Sequence, residues 1–152
     1  MTCQSLQSIY NACDSGIVGG VASVYVAAYT ANTAGSAYTW TNVIEKTKEG
    51  STYVEALSED IGTGAGSVKS TLTIVISKRE EAKMVGIRLL AAGQRDLAIK
   101  VFLNSDPTTP IYMGAGSNPG ANLMSANTTS GSKLNDPNNI TLVFEATSAT
   151  FN

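Results

Sequence analysis

The sequence predicts a mainly β protein, a β-sandwich or barrel with one flanking α-helix at about residues 78–92 and long loops at about 59–67 and 115–137. Three observations carry this expectation. First, apolar residues alternate with polar ones along several short runs, the period-two signature of half-buried strands. Over 68–76, Val68, Ser70, Leu72, Ile74 and Ile76 fall on one face, and Lys69, Thr71, Thr73 and Val75 on the other. Second, helical spacing of apolar residues occurs at one place, through Met84, Ile87 and either Leu90 or Ala91. Third, clusters of Gly, Asn, Ser and Pro divide the runs as turns do.

Taken in order, residues 1–18 form a polar, Ser- and Cys-bearing arm, and 19–152 a single β-sandwich domain that begins at Gly19-Gly20. The arm is expected to be ordered by contact with another chain. Residues 21–29 place Val24 and Val26 on one side and Tyr25 and Tyr29 on the other, and their β-branched and aromatic content favours a strand. A loop over 30–37 leads to a second strand at 38–46, with Tyr38, Trp40 and Ile44 at even spacing, and then to a charged turn. The third strand, 51–58, sets Tyr53, Glu55 and Leu57 on one face. Three glycines within Gly62–Gly66 make 59–67 a mobile loop or an extended hairpin tip.

The strand at 68–76 ends at Ser77, and Ser77 with Glu80 forms a capping box that opens the helix. Glu80 and Glu81 suit the positive end of the helix dipole. Gly86 in its middle points to close approach of helix and sheet, and Gly93 is the expected terminator. Leu97, Ile99, Val101 and Leu103 face inward from a strand at 95–103. A turn with two prolines follows at 104–110, then a short strand at 111–114. The long loop at 115–137 includes a weak strand near 122–126. A last strand buries Ile140, Leu142, Phe144 and Ala146, and no internal repeat divides the chain.

Composition narrows the function. The 152 residues carry a net charge of −2, and 14% are charged, well below the roughly 25% usual for soluble domains. Such a balance gives no electrostatic drive toward nucleic acid phosphates. A surface of small polar groups with few charges sheds water at low cost, which favours burial against other subunits. No segment reaches the roughly 20 apolar residues that span a membrane. The start, Met1 to Ser5, lacks the basic and apolar regions of a signal peptide, so a cytosolic chain is expected. In a reducing cytosol Cys3 and Cys13 are expected as two structural thiols; the alternatives are a pair closing a short loop or a pair binding metal, which without histidine would need Asp or Glu to complete a zinc site.

The absence of histidine removes Ser-His-Asp and Cys-His arrangements, the commonest general base and the commonest metal ligand. The adjacent carboxylates Glu59-Asp60 and Glu80-Glu81 are explained by a loop and by helix capping. The Gly62–Ser67 run lacks the Gly-Lys-Ser/Thr and the following helix of a phosphate-binding loop. The expectation is no enzyme, with no catalytic, cofactor-binding or metal residues and no cofactor. A different class of reading takes Trp40, Tyr38 and Tyr53 as a stacking platform in a small-molecule or carbohydrate-binding β-sandwich.

Several motifs in order resemble tailed-bacteriophage tail tube proteins and related ring-forming virion structural proteins. These are Cys3 to Leu6, Gly19-Gly20 before Val24-Tyr25-Val26-Ala27, Tyr53-Val54-Glu55, the Ser/Gly loop, Ser77-Lys78-Arg79, the helix, Leu97-Ala98-Ile99 and Tyr112-Met113-Gly114. Asn104-Ser105-Asp106-Pro107 ahead of Tyr112 stands where that family carries Asp-x-Asn-Gly before an aromatic. The resemblance spans about residues 3–147. It implies a virion protein assembled in the host cytoplasm, with copies closing into rings, often hexameric, in which one sheet of each subunit joins a continuous inner barrel. The implied partners are other copies, other tail proteins and DNA that passes through the lumen without specific binding, with no membrane. Residues 59–67 and 115–137 would reach neighbouring subunits. Alternatives within the resemblance are a head–tail ring or adaptor protein and a capsid-decorating protein.

Overall fold

A computed structural model describes residues 19–40, 42–44, 50–60, 62, 65–77, 81–92, 96–134 and 138–148. The strands are β1 (Val21–Ala28), β2 (Asn42–Ile44), β3 (Thr52–Asp60), β4 (Ala65–Ser77), β5 (Leu97–Leu103), β6 (Asp106–Met113), β7 (Asn122–Thr129) and β8 (Asn139–Ser148), with the helix α1 (Glu81–Ala92) between β4 and β5. They form two four-stranded sheets, sheet I in the order β2-β1-β5-β6 and sheet II in the order β3-β4-β8-β7. Neighbours are antiparallel throughout. The mainly β sandwich with a single short helix is the expected fold class.

The alternation read from the sequence places the core. Val24 and Val26 of β1 and Ile99 and Val101 of β5 are buried in sheet I; Leu72 and Ile74 of β4 and Ile140, Leu142 and Phe144 of β8 are buried in sheet II. All belong to one apolar cluster, so the sheets pack face to face. Ile87 of α1 is buried in the same cluster and Met84 packs against it. The buried hydroxyl of Ser51 accepts a hydrogen bond from the Val75 amide at 3.2 Å.

The chain alternates between sheets in hairpins. β1-β2 lies in sheet I, β3-β4 in sheet II, β5-β6 in sheet I and β7-β8 in sheet II. Each half follows the same path, from inner strand to edge strand of sheet I, then edge strand to inner strand of sheet II. The halves meet through β1 with β5 and through β4 with β8. Asn104, in the β5–β6 turn, fastens the lead into β1. Its side chain donates to the Gly19 carbonyl at 3.0 Å and its backbone amide to Gly20 at 3.1 Å.

Several expectations are corrected. Of the strand expected at 38–46, β2 comprises Asn42–Ile44, and Tyr38 and Trp40 sit outside it. The turn expected at 104–110 shrinks to Asn104-Ser105. β6 starts at Asp106 and runs through both prolines, which an edge strand tolerates. At its start Asp106 accepts hydrogen bonds from the Thr108 hydroxyl at 2.8 Å and the Thr108 amide at 3.3 Å. These bonds, the hydroxyl's first, hold its carboxyl below the ordinary carboxylate range. Within 115–137 the weak strand expected near 122–126 is present as β7 and runs on to Thr129, and β3 and β4 extend into 59–67, paired as far as Asp60 with Ala65. Gly86 is exposed, and a Cβ there would meet nothing within 4 Å, so it marks no close approach to the sheet. The arm with Cys3 and Cys13, Glu80 of the expected capping box and Gly93 lie outside the described residues.

Candidate functional site

Two surfaces stand out from the sandwich: the open edges of sheet II and the outer face of sheet I. Four strands are edges, and they are not equally protected. In sheet I, β6 carries Pro107 and Pro110, which remove donors from its ladder. Prolines are an ordinary guard against pairing with another chain. In sheet II, β3 is nine residues and β7 eight, and neither contains proline. β7, Asn-Leu-Met-Ser-Ala-Asn-Thr-Thr, has no charged residue at all. Val54 on β3 is 55% exposed and Met124 on β7 is 59% exposed.

The two open edges run in opposite directions, because four antiparallel strands separate first from last by an odd number of reversals. A copy placed beside this one by rotation about an axis along the strands brings its β3 antiparallel to β7. The ladder would continue from subunit to subunit with the pairing already used inside the sheet.

The outer face of sheet II is nearly neutral. Thr71, Thr73 and Val75 of β4 and Thr141, Val143, Glu145 and Thr147 of β8 alternate with the buried residues. Lys69 and Glu145 form an ion pair of 3.2 Å across the strands. A shallow open depression beside β7 is lined by Lys69, Pro119, Gly120, Asn122, Met124 and Glu145, among others.

The outer face of sheet I is aromatic. Register places Tyr25, Lys100 and Tyr112 side by side on β1, β5 and β6. The Lys100 ammonium lies 4.6 Å from the ring centre of Tyr25, 5.3 Å from Phe102 and 5.4 Å from Trp40. Tyr25 and Phe102 meet edge to face at 6.2 Å. Trp40 stacks on Tyr112 at 5.9 Å and 25°, with Tyr38 on it at 5.4 Å. Cation–π and ring–ring contacts of this kind are each worth about 0.5–1.5 kcal/mol beyond burial.

The β1–β2 loop is folded back to build this cluster. The Trp40 indole donates to the Gly35 carbonyl at 2.9 Å, and the Tyr38 hydroxyl bonds both the amide and the carbonyl of Thr30, at 2.9 and 2.8 Å. Gly35 lies flat against the Tyr112 ring, since a Cβ there would fall 2.3 Å from the ring. Gly35→Ala therefore displaces Tyr112 and loosens its stack on Trp40. The expected loss is about 1–3 kcal/mol, with a changed Trp40 emission spectrum; unchanged emission and stability would contradict this packing.

The stacking platform read from the sequence is half assembled. Trp40 and Tyr38 come together, but Tyr53 lies in sheet II, packed against the core with its hydroxyl bonded to Glu55. Tyr112, Tyr25, Phe102 and Lys100 take its place. Their period on β5 and β1 was legible, but which strands lie side by side was not.

Of the paired carboxylates, Glu59 and Glu81 are the ones whose side chains are described. Glu59 is at the far end of β3, and Glu81 pairs with Arg88 at 2.9 Å within α1. Among the described residues no group of three or more potential metal ligands occurs. No helix among them is long and apolar enough to cross a membrane. Comparison with protein-family models, with curated proteins and with solved structures finds no match to this chain.

Proposed function

We propose that this chain is a bacteriophage virion structural protein, a tail tube subunit whose copies close into rings that stack as a conduit for DNA. It works by self-assembly, without catalysis, and its place is the virion. The observation that carries the reading is the pair of long, proline-free, oppositely directed edge strands on sheet II. A head-to-tail contact between unlike edges generates a ring when the rotation closes. Closure also removes the edges that would otherwise recruit other chains. The outer face of the same sheet suits a lumen. It offers hydroxyls and valines, and its Lys69 and Glu145 cancel, so among the described residues a passing phosphate backbone finds no surplus cation on it. A head–tail ring or a decoration protein would use the same edges in a different place.

Electron microscopy of the purified protein is expected to show rings or tubes. The double variant Val54→Lys/Asn127→Lys, which adds a charge to each open edge, is expected to stay monomeric with an unchanged circular dichroism spectrum. A folded wild-type protein that remains monomeric at its highest soluble concentration would overturn the reading.

A second reading, a carbohydrate- or small-molecule-binding module, draws on the stacked Trp40 and Tyr112 rings. It expects quenching of Trp40 emission by a soluble ligand at unchanged oligomeric state.

A further inference from the structure

We infer that the aromatic face around Lys100 receives the acidic β3–β4 ribbon of a second copy of this chain. The inference rests on the self-assembly reading and names one contact within it. Lys100 is half-buried among the rings of Tyr25, Phe102 and Trp40, and among the described residues no carboxylate pairs with it. The face is therefore apolar around one unneutralised cation. It fits an occupant that brings a carboxylate beside an apolar side chain.

The chain carries such an occupant. The described part of β8 ends at Ser148, opposite Val68. Beyond that point Ser58–Asp60 and Ala65–Ser67 pair only with each other among the described residues, as a two-stranded ribbon. Leu57 at its root is 51% exposed, and Glu59 is exposed with no ion pair among the described residues. Leu57 and Glu59 are alternate residues of β3, on one side of the strand and about 6.6 Å apart. Lys100 and Phe102 are alternate residues of β5 with the same spacing. Seating Glu59 against Lys100 thus sets Leu57 over the Phe102 and Tyr25 rings. The apolar pair supplies the area removed from water, and the opposite charges supply registry and encounter rate.

The ribbon of the same chain does not reach this face. It is rooted in sheet II, whereas Lys100 stands on the side of sheet I turned away from sheet II. The occupant is a neighbouring copy.

The test is a charge exchange in the full chain: Lys100→Glu, Glu59→Lys and the double variant. Sedimentation gives the association constant, and Trp40, the single tryptophan, reports locally because its ring lies 5.4 Å from the Lys100 ammonium. Each single variant is expected to weaken association by about tenfold or more, and the double variant to recover most of it. Trp40 emission is expected to shift on association in the wild type and the double variant, and not in the single ones. Should Lys100→Glu fail to fold, Glu59→Lys alone still decides, since Glu59 sits on an exposed ribbon. Rings that form equally in all variants, or a double variant as weak as the single ones, overturn the docking and leave edge pairing standing. A folded monomeric wild type overturns both. Quenching of Trp40 by a soluble glycan, with association insensitive to the charge exchange, assigns the face to another occupant and overturns the docking.

Discussion

Gly114→Ala is expected to destabilise the protein by about 3 kcal/mol or more, enough to move its urea midpoint well below that of the wild type. Gly114 follows β6 with φ of 72°, in the left-handed region that an alanine enters at a cost of about 1–2 kcal/mol. Its surroundings add the larger part. A Cβ at this position would lie 2.6 Å from the Leu97 carbonyl oxygen and 2.7 Å from the Ala121 amide nitrogen. These two atoms are themselves hydrogen-bonded at 2.8 Å, and the Leu97 amide returns a second bond to Ala121 at 2.8 Å. The methyl group would enter a bridge that ties β5 of sheet I to the start of β7 in sheet II. Both neighbours are backbone, so neither can swing aside.

Gly116→Ala is the matched control. Its φ is 70°, but a Cβ there meets nothing within 4 Å, so only the conformational cost of about 1–2 kcal/mol applies. The difference between the two variants isolates the clash. Equal losses would show that the Leu97–Ala121 bridge is not tight. Hydrogen exchange at the Leu97 and Ala121 amides should quicken in the first variant alone.

Phe144→Ala is expected to cost about 3–5 kcal/mol. Phe144 is fully buried at the centre of sheet II, with Leu72 and Leu123 as lateral partners on β4 and β7. Removing the ring leaves a cavity between two rigid sheets that cannot collapse onto it. A typical domain holds about 5–15 kcal/mol in total, so this variant should lose a large share of its stability. Val143→Ala, the adjacent residue on the outer face, is expected to lose less than about 1 kcal/mol. Both are best measured by urea denaturation in the Val54→Lys/Asn127→Lys background, because association would otherwise add to apparent stability. Near-equal losses at 143 and 144 would contradict the facing assigned to β8.

The strands with strict alternation were legible in the sequence. Val68 to Ile76 and Ile140 to Ala146 face as their pattern requires, because a half-buried strand leaves its period in the chain. Elements whose environment is asymmetric were harder. β7 is exposed along most of its length, so Asn122 to Thr129 show no apolar period and read only as a weak strand near 122–126 within a loop. β6 carries two prolines, turn residues in isolation, which are compatible with a strand only because it is an edge. Trp40 and Tyr38 lie at strand-like spacing but belong to a loop folded onto Tyr112. The matching pattern of the two halves left no trace as a sequence repeat, because each half needs only a hairpin in each sheet, and many sequences satisfy that.

By itself the sequence determined the fold class, the inward face of the central strands, the single helix and the low charge of the surface. These follow from period and composition, which are local. Only the tertiary structure decided which strands became edges, that those of sheet II are long and oppositely directed, and that Lys100 is ringed by residues from β1, β5 and the β1–β2 loop. Those facts depend on pairing between segments far apart in the chain, and a strand's alternation specifies its faces without specifying its neighbours.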